Sequence, residues 1–113
     1  MKTELTPTGT LVCTMNRGED FLLEIVEVVD ENDDPIDLST STFQSELRDK
    51  EDVLIATLSV TGQNGAATVS FAPTADWPVK DAYFDVLAVI GSRKIWLLPR
   101  SILRIIDSAT EVV

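Results

Sequence analysis

Residues 82–98 read AYFDVLAVIGSRKIWLL, and the fold prediction starts from this stretch. Apolar side chains recur at every second position, which is the period of a β-strand rather than of a helix. Gly91 and Ser92 separate two apolar runs, as the turn residues of a tight hairpin do. The stretch therefore predicts two strands, Ala82–Ile90 and Ile95–Leu98, joined by a hairpin around residues 91–94.

The same pattern recurs along the rest of the chain at the spacing of a sandwich or barrel. Gly62-Gln63-Asn64-Gly65 gives a second hairpin signal, because glycine and asparagine tolerate positive φ. In the run Phe21–Val29, apolar side chains occupy both odd and even positions, so strict alternation fails. We therefore expect a bulge near Val26 and Glu27. The further predicted strands are Thr10–Met15, Phe21–Val29, Thr42–Arg48, Val53–Thr61, Thr68–Phe71 and Ser101–Ile106.

The parity of each run predicts which side chains face the core. In the predicted strand Val53–Thr61, the side chains that should point inward are Leu54, Ala56, Leu58 and Val60. The segment 73–78 interrupts the strand pattern, and we expect one helical turn there, with Thr74 as its N-cap and Trp77 closing the edge of the core. Seven to eight short strands with almost no helical periodicity predict an all-β sandwich.

Charge is unevenly distributed along the chain. Residues 1–56 carry 14 acidic and 4 basic side chains, whereas residues 57–113 carry 5 of each, so the net charge of −10 arises from the first half. Binding to a phosphate backbone needs clustered Lys and Arg. We therefore expect neither nucleic acid nor an anionic membrane as a partner.

The chain lacks the residues on which several kinds of catalytic and metal-binding site depend. The chain has no His, which removes the common nucleophile triads and most zinc sites. Cys13 is the single cysteine, and its strand-like surroundings predict a buried, unreactive thiol. No apolar run resembles a signal peptide or a membrane helix, so we expect an aqueous environment. We predict no enzyme, no catalytic residues and no cofactor.

The acidic run Asp30-Glu31-Asn32-Asp33-Asp34 has the alternating oxygen ligands of a calcium loop. Pro35 stands where such a loop needs glycine, and no glutamate follows at the twelfth position. An acidic hairpin tip is the favoured interpretation, and no metal site is predicted.

Asp85 lies within a strand between apolar neighbours, where an unpaired carboxylate would be costly if buried. We expect it to form a structural ion pair, with Arg48 as the partner, although Arg100, Arg104 or backbone amides are alternatives.

If Phe84, Val86, Ala88 and Ile90 face the core, the opposite parity of the same strand lacks intramolecular cover. Trp and Arg are frequent anchors of protein interfaces. The candidate interface residues are Tyr83, Leu87, Val89, Trp96 and Arg93. The alternative is that these side chains pack on the second sheet or on a terminal strand.

The chain resembles small virion proteins of tailed bacteriophages over about residues 17–110. The resemblance lies in a series of short segments that share turn and strand order with that family. These segments are Arg17–Phe21, Asp30–Ser39, Glu46–Asp49, Ile55–Leu58, Thr74–Pro78 and Tyr83–Val86. In two places the chain departs from the family pattern: Asn32-Asp33-Asp34 replaces a turn glycine, and Leu38-Ser39-Thr40 replaces a Leu-Thr-Gly step.

The family resembled includes the Ig-like domain at the start of phage baseplate upper proteins. The resemblance implies an Ig-like antiparallel β-sandwich at residues 17–110, after an N-terminal arm and first strand (1–16) and before a tail (111–113). It implies a virion component of the tail, baseplate or fibre attachment that binds other virion proteins and forms a symmetric homo-oligomer. A capsid decoration protein and a glycan-binding module, which would use Trp77, Trp96 and Tyr83, are the alternatives.

Overall fold

The computed structural model describes residues 1–107, and within them it is all-β, with ten strands and no helix. The strands are β1 (Lys2–Leu5), β2 (Leu11–Asn16), β3 (Phe21–Ile25), β4 (Thr42–Gln44), β5 (Glu46–Arg48), β6 (Leu54–Thr57), β7 (Ser59–Gln63), β8 (Ala66–Phe71), β9 (Asp81–Ile90) and β10 (Arg93–Ile106). The all-β prediction is confirmed. The count exceeds the predicted seven to eight because two predicted strands are each divided and β1 was not foreseen, while the predicted strands Ile95–Leu98 and Ser101–Ile106 form a single strand.

The strands form two sheets that pack face to face. The larger sheet has seven strands in the order β1-β2-β10-β9-β5-β6, with β4 also pairing with β9, and the smaller has the order β3-β8-β7. The predicted antiparallel pairing does not hold at one place, since β2 and β10 run parallel, with Cys13 opposite Leu103. These strands lie at opposite ends of the chain, so no hairpin fixes their relative direction.

The predicted strand Val53–Thr61 crosses from one sheet to the other at Leu58. The Leu58 N–H donates to the Ser45 carbonyl oxygen at 2.9 Å, and the Leu58 side chain is buried. The register shifts by one residue at Ile55, so Leu54 lies opposite Arg48 and is 47% exposed. The inward prediction is therefore confirmed for Ala56 and Leu58 and wrong for Leu54, because a bulge reverses the alternation.

Aromatic side chains join the two sheets in the core. Phe21 of β3 and Phe84 of β9 meet edge to face with ring centroids 5.6 Å apart. Trp77 is 4% exposed and packs its ring 5.3 Å from that of Phe71. The predicted role of Trp77 as a plug at the edge of the core is confirmed.

Thr74 begins a single hydrogen-bonded turn rather than capping a helix. The Trp77 N–H donates to the Thr74 carbonyl oxygen at 3.0 Å. The Thr74 hydroxyl instead donates to the Glu19 carbonyl oxygen at 2.5 Å and accepts from the Gly18 N–H at 3.0 Å. The N-cap prediction is wrong, because this buried hydroxyl stabilises the distant turn between β2 and β3.

Two predicted strand ends also change. The strand that begins at Phe21 ends at Ile25 rather than Val29, since Glu27 has a φ of 56°, in the left-handed region. By contrast, the predicted strands Ile95–Leu98 and Ser101–Ile106 are not separated, and β10 continues from Arg93 through Pro99 to Ile106. Register shifts on either side of Leu98 place the proline in a bulge, where the ladder does not need its missing N–H.

The N-terminal residues belong to the sandwich. Strand β2 lies between β1 and β10 in the larger sheet, and Cys13 and Met15 are buried in the core. Burial raises the pKa of the Cys13 thiol to about 11, in keeping with the predicted unreactive thiol. The predicted boundary at residue 16 thus does not separate an arm from the domain. Residues 108–113, which include the predicted tail 111–113, lie outside the described part of the chain.

Candidate protein-binding face

Strand β9 alternates between the core and the outer face of the larger sheet. Phe84, Val86 and Ala88 are at most 2% exposed and face the smaller sheet. Tyr83 and Val89 are half-buried on the opposite parity. The predicted division of this strand into two faces holds at these positions, but Leu87 on the outer parity is buried, contrary to the expectation that this parity lacks intramolecular cover. The outer face is apolar at one end.

The β9–β10 register brings the predicted anchor residues together. Trp96 lies directly opposite Leu87, and Val89 lies two residues further along the same face. Trp96 is 59% exposed, whereas Leu87 is 9% exposed. These three side chains form the Trp96 patch, an apolar surface on the outer face of the larger sheet.

Polar residues surround the Trp96 patch on two sides. On one side, Lys94 of β10 lies opposite Val89. On the other side, Thr42 of β4 lies opposite Val89, and Gln44 of β4 lies opposite Leu87. These three residues were not among the predicted interface residues. Period-two spacing from Trp96 could have found Lys94, but the pairing of β4 with β9 depends on the tertiary fold.

Arg93 does not belong to the patch. It lies opposite Ile90 at the hairpin end and has the opposite parity to Trp96. Its side chain is exposed beside the turn. The structure thus replaces Arg93 with Lys94 as the basic neighbour of the tryptophan.

Tyr83 lies at the other end of β9, about 13 Å from Leu87 along the strand. The Arg100 guanidinium carbon is 4.3 Å from the centroid of the Tyr83 ring, a cation–π contact. This end of the face forms an open cleft of about 430 Å³. It is lined by Glu46, Arg48, Asp49, Lys50, Asp52, Tyr83, Phe84, Asp85 and Arg100. The predicted interface residues are therefore divided between an apolar patch and a polar cleft.

Asp85 lies in this polar cleft. Partial burial raises the pKa of its carboxyl group, and the negative charge of Glu46 raises it further. The positive charge of Arg100 acts in the opposite direction. The net shift is upward, so the ionised carboxylate is disfavoured at this position.

Arg48 does not form the predicted ion pair with Asp85. Its guanidinium bonds Glu46 at 3.1 Å and donates to the Asp52 carbonyl oxygen at 2.8 Å. Arg48 lies opposite Tyr83 in the sheet, one pair along from Leu47 and Phe84. The prediction is wrong because Glu46 on the same strand and the adjacent turn offer nearer acceptors, and Arg100 supplies the positive charge near Asp85.

In the acidic turn after β3, the first carboxylate accepts hydrogen bonds from backbone N–H groups of the same turn. The Asp30 Oδ1 accepts hydrogen bonds from the Asn32 N–H at 2.8 Å and the Asp34 N–H at 3.1 Å. The Asp30 N–H donates to the Asp34 carbonyl oxygen at 2.9 Å, which closes the loop. Within residues 1–107 no group of three or more His, Cys, Asp or Glu side chains is placed to hold a metal ion.

Comparisons with known proteins return no relative: no family model, no curated protein and no solved structure matches the chain. Residues 1–107 also contain no helix that is long and apolar enough to cross a membrane.

Proposed function

We propose that the chain is a non-enzymatic structural protein of a tailed-bacteriophage virion. It acts at the tail, the baseplate or the attachment of a fibre, through contacts with other virion proteins, and is present in symmetric copies. The proposal is supported by the resemblance over residues 17–110 and by the Trp96 patch. Its localisation is then the virion, with no nucleic acid or membrane partner.

Strand order supports an Ig-like assignment of the sandwich. Strands β3, β8 and β7 follow the order B-E-D of an Ig sheet, and β10, β9, β5 and β6 follow G-F-C-C′ of the other. The strands equivalent to B and F are bridged in antibody domains by a disulfide. Here Phe21 and Phe84 join the same two strands.

The exposure of Trp96 is the observation that carries the proposal. A tryptophan with 59% of its surface in water leaves a large apolar area that a partner can cover. Its half-buried neighbour Val89 extends this area, and polar residues lie on two sides of it, which is the usual layout of an interface with an apolar centre and a polar rim.

A glycan-binding module receives less support. Such a site needs exposed aromatic rings, but Trp77 is 4% exposed within the core. The Tyr83 ring has Arg100 over it at 4.3 Å. Trp96 is the remaining candidate ring of the three proposed, and its direct cross-strand neighbour is the apolar Leu87.

The test is to localise the chain in particles of the bacteriophage that encodes it. Immunogold labelling, with cross-linking mass spectrometry of the purified particles, should place the chain at the tail with cross-links from Lys94 to one virion protein. Labelling of the head would favour the capsid decoration alternative over a tail role. Absence of the chain from purified particles would refute a virion role.

A pair of variants connects the location to the Trp96 patch. Trp96→Ala should prevent incorporation of the chain into particles, whereas Leu22→Ala should not. Leu22 is a suitable control because it is also an exposed apolar side chain, at 55%, but lies on β3 in the other sheet. Equal incorporation of both variants would exclude the patch as the binding surface.

A further inference from the structure

Strand β1 forms one edge of the larger sheet. It pairs with β2 on one side, and no other described strand pairs with it. All four of its residues, Lys2–Leu5, are exposed, and Leu5 reaches 71%. An edge strand with unpaired backbone groups can accept another strand.

The register with β2 shows which backbone groups of β1 point outward. Lys2 lies opposite Thr14, and the same register continues to Thr6 and Thr10, where the Thr6 N–H donates to the Thr10 carbonyl oxygen at 2.9 Å. Hydrogen-bonded and non-bonded pairs alternate along an antiparallel ladder. Lys2 and Glu4 therefore bond to β2, while Thr3 and Leu5 present their N–H and C=O groups at the free edge.

The side chains of β1 carry a self-complementary charge pattern. Lys2 and Glu4 share one face, and their charged groups are 2.8 Å apart within the chain. Their side chains are 75% and 63% exposed. If a second copy pairs antiparallel about a two-fold axis through Thr3, each Lys2 lies opposite the other copy's Glu4. Two opposite-charge pairs then form across the new strand pair.

Other two-fold registers lack this complementarity. An axis through Glu4 places Glu4 opposite Glu4, and an axis through Lys2 places Lys2 opposite Lys2. An axis through Leu5 requires an N–H at Pro7, which has none. The axis through Thr3 is therefore the register that satisfies both the backbone and the charges.

We propose that β1 is a homodimerisation edge, at which the β1 strands of two copies pair antiparallel about Thr3 and join two larger sheets into one continuous sheet. The contact involves a short strand, so the dimer should be weak and depend on concentration. This interface uses a different surface from the Trp96 patch. It is tested on the isolated chain, so its failure would leave the proposed virion role untouched.

Sedimentation velocity over a concentration series tests the charge register. The wild-type chain should show a reversible monomer–dimer equilibrium. Lys2→Glu and Glu4→Lys should each weaken dimerisation by about tenfold, since each replaces two attractive pairs by two repulsive ones. The double variant Lys2→Glu/Glu4→Lys should restore the wild-type dissociation constant, because the pairs re-form with exchanged signs.

Matched charge controls separate this register from an effect of net charge. Lys50→Glu and Glu51→Lys make the same charge changes in an exposed turn away from β1 and should leave dimerisation unchanged. A second measurement needs no variant: amide exchange at Thr3 and Leu5 should slow as the wild-type concentration rises. A wild-type chain that stays monomeric throughout the series, or a dimer insensitive to the charge exchange, would overturn the proposal.

Discussion

Trp96 and Leu87 are direct cross-strand neighbours on the outer face of the larger sheet, yet 59% of the tryptophan surface is exposed and only 9% of the leucine surface. The leucine is thus covered within the monomer, whereas the tryptophan presents its apolar area to solvent. A partner that covers Trp96 would extend an apolar layer that is already begun within the monomer.

The two tryptophans should respond differently to truncation. Trp77→Ala should lower the free energy of unfolding by about 3–5 kcal/mol, because it opens a cavity beside Phe21 and Phe71 in the core. Trp96→Ala should lower it by less than about 1 kcal/mol, since most of that side chain is already in water. Urea denaturation followed by circular dichroism measures both values. Similar losses for the two variants would contradict the assignment of Trp96 to a binding surface.

Asp85→Asn should stabilise the protein at neutral pH. Burial and Glu46 raise the pKa of Asp85 in the folded state above its unfolded value, so the folded state binds the proton more tightly. The contribution of Asp85 to the free energy of unfolding is therefore fully present below the pKa of the unfolded state. It is lost as the pH rises through the higher pKa of the folded state. The advantage of the variant should vanish at lower pH, where the wild-type carboxyl is protonated. Thermal melts between about pH 3 and pH 7 measure this difference.

Asp49→Asn is the control, because it should change the stability in the opposite direction to Asp85→Asn. The hydrogen bond from the Val53 N–H lowers the pKa of Asp49, and the Glu51 N–H and the positive charge of Lys80 act in the same direction. This carboxylate stabilises the fold above its unfolded pKa, and the contribution is lost as the pH falls through the folded value. The variant should therefore be less stable than the wild type at neutral pH. A gain in stability for Asp49→Asn, or a loss for Asp85→Asn, would refute the stated causes.

Gly62→Ala should lower the free energy of unfolding by about 1–3 kcal/mol. A Cβ atom at this position would overlap the Leu38 carbonyl oxygen, and the backbone must move to accommodate it. Gly9→Ala provides the comparison: its φ of 89° disfavours alanine, but the added methyl group meets no atom within 4 Å. Chemical denaturation of both variants should show the larger loss for Gly62→Ala if contact dominates over backbone strain.

Thr74→Val should lower the free energy of unfolding by about 2 kcal/mol or more. The change keeps the shape of the side chain but removes the hydroxyl that bonds Gly18 and Glu19, leaving an N–H and a C=O group unpaired. Thr74→Ser keeps the hydroxyl and should retain most of the stability. A larger loss for Thr74→Ser than for Thr74→Val in urea titrations would show that the methyl contact, rather than the hydrogen bonds, is what matters.

Much of the candidate site follows from local pattern. Alternation along 82–90 predicted the inward Phe84 and the outward Leu87, because successive side chains of a strand point to opposite faces. The same reasoning fails where a bulge inserts one residue, as at Ile55, which sends Leu54 outward. Bulges depend on how neighbouring strands fit together, and a single run of residues does not reveal them.

Charge pairing was less predictable than strand pattern. Asp85 was correctly identified as a carboxylate in a costly position, and its raised pKa agrees with that expectation. Its predicted partner Arg48 instead bonds Glu46 and Asp52. Long side chains choose among several acceptors within reach, and the choice depends on register and on the turn between β5 and β6.

Residue order alone therefore specified most of the strands, the turns at Gly65 and Gly91, and the apolar parity of β9, since these depend on backbone preferences and period-two spacing. The assembled fold specified the parallel pairing of β2 with β10, the crossing between sheets at Leu58 and the polar rim of the Trp96 patch. Such features bring together residues far apart in the chain. Their positions depend on the packing of both sheets around one core, which no local run of side chains encodes.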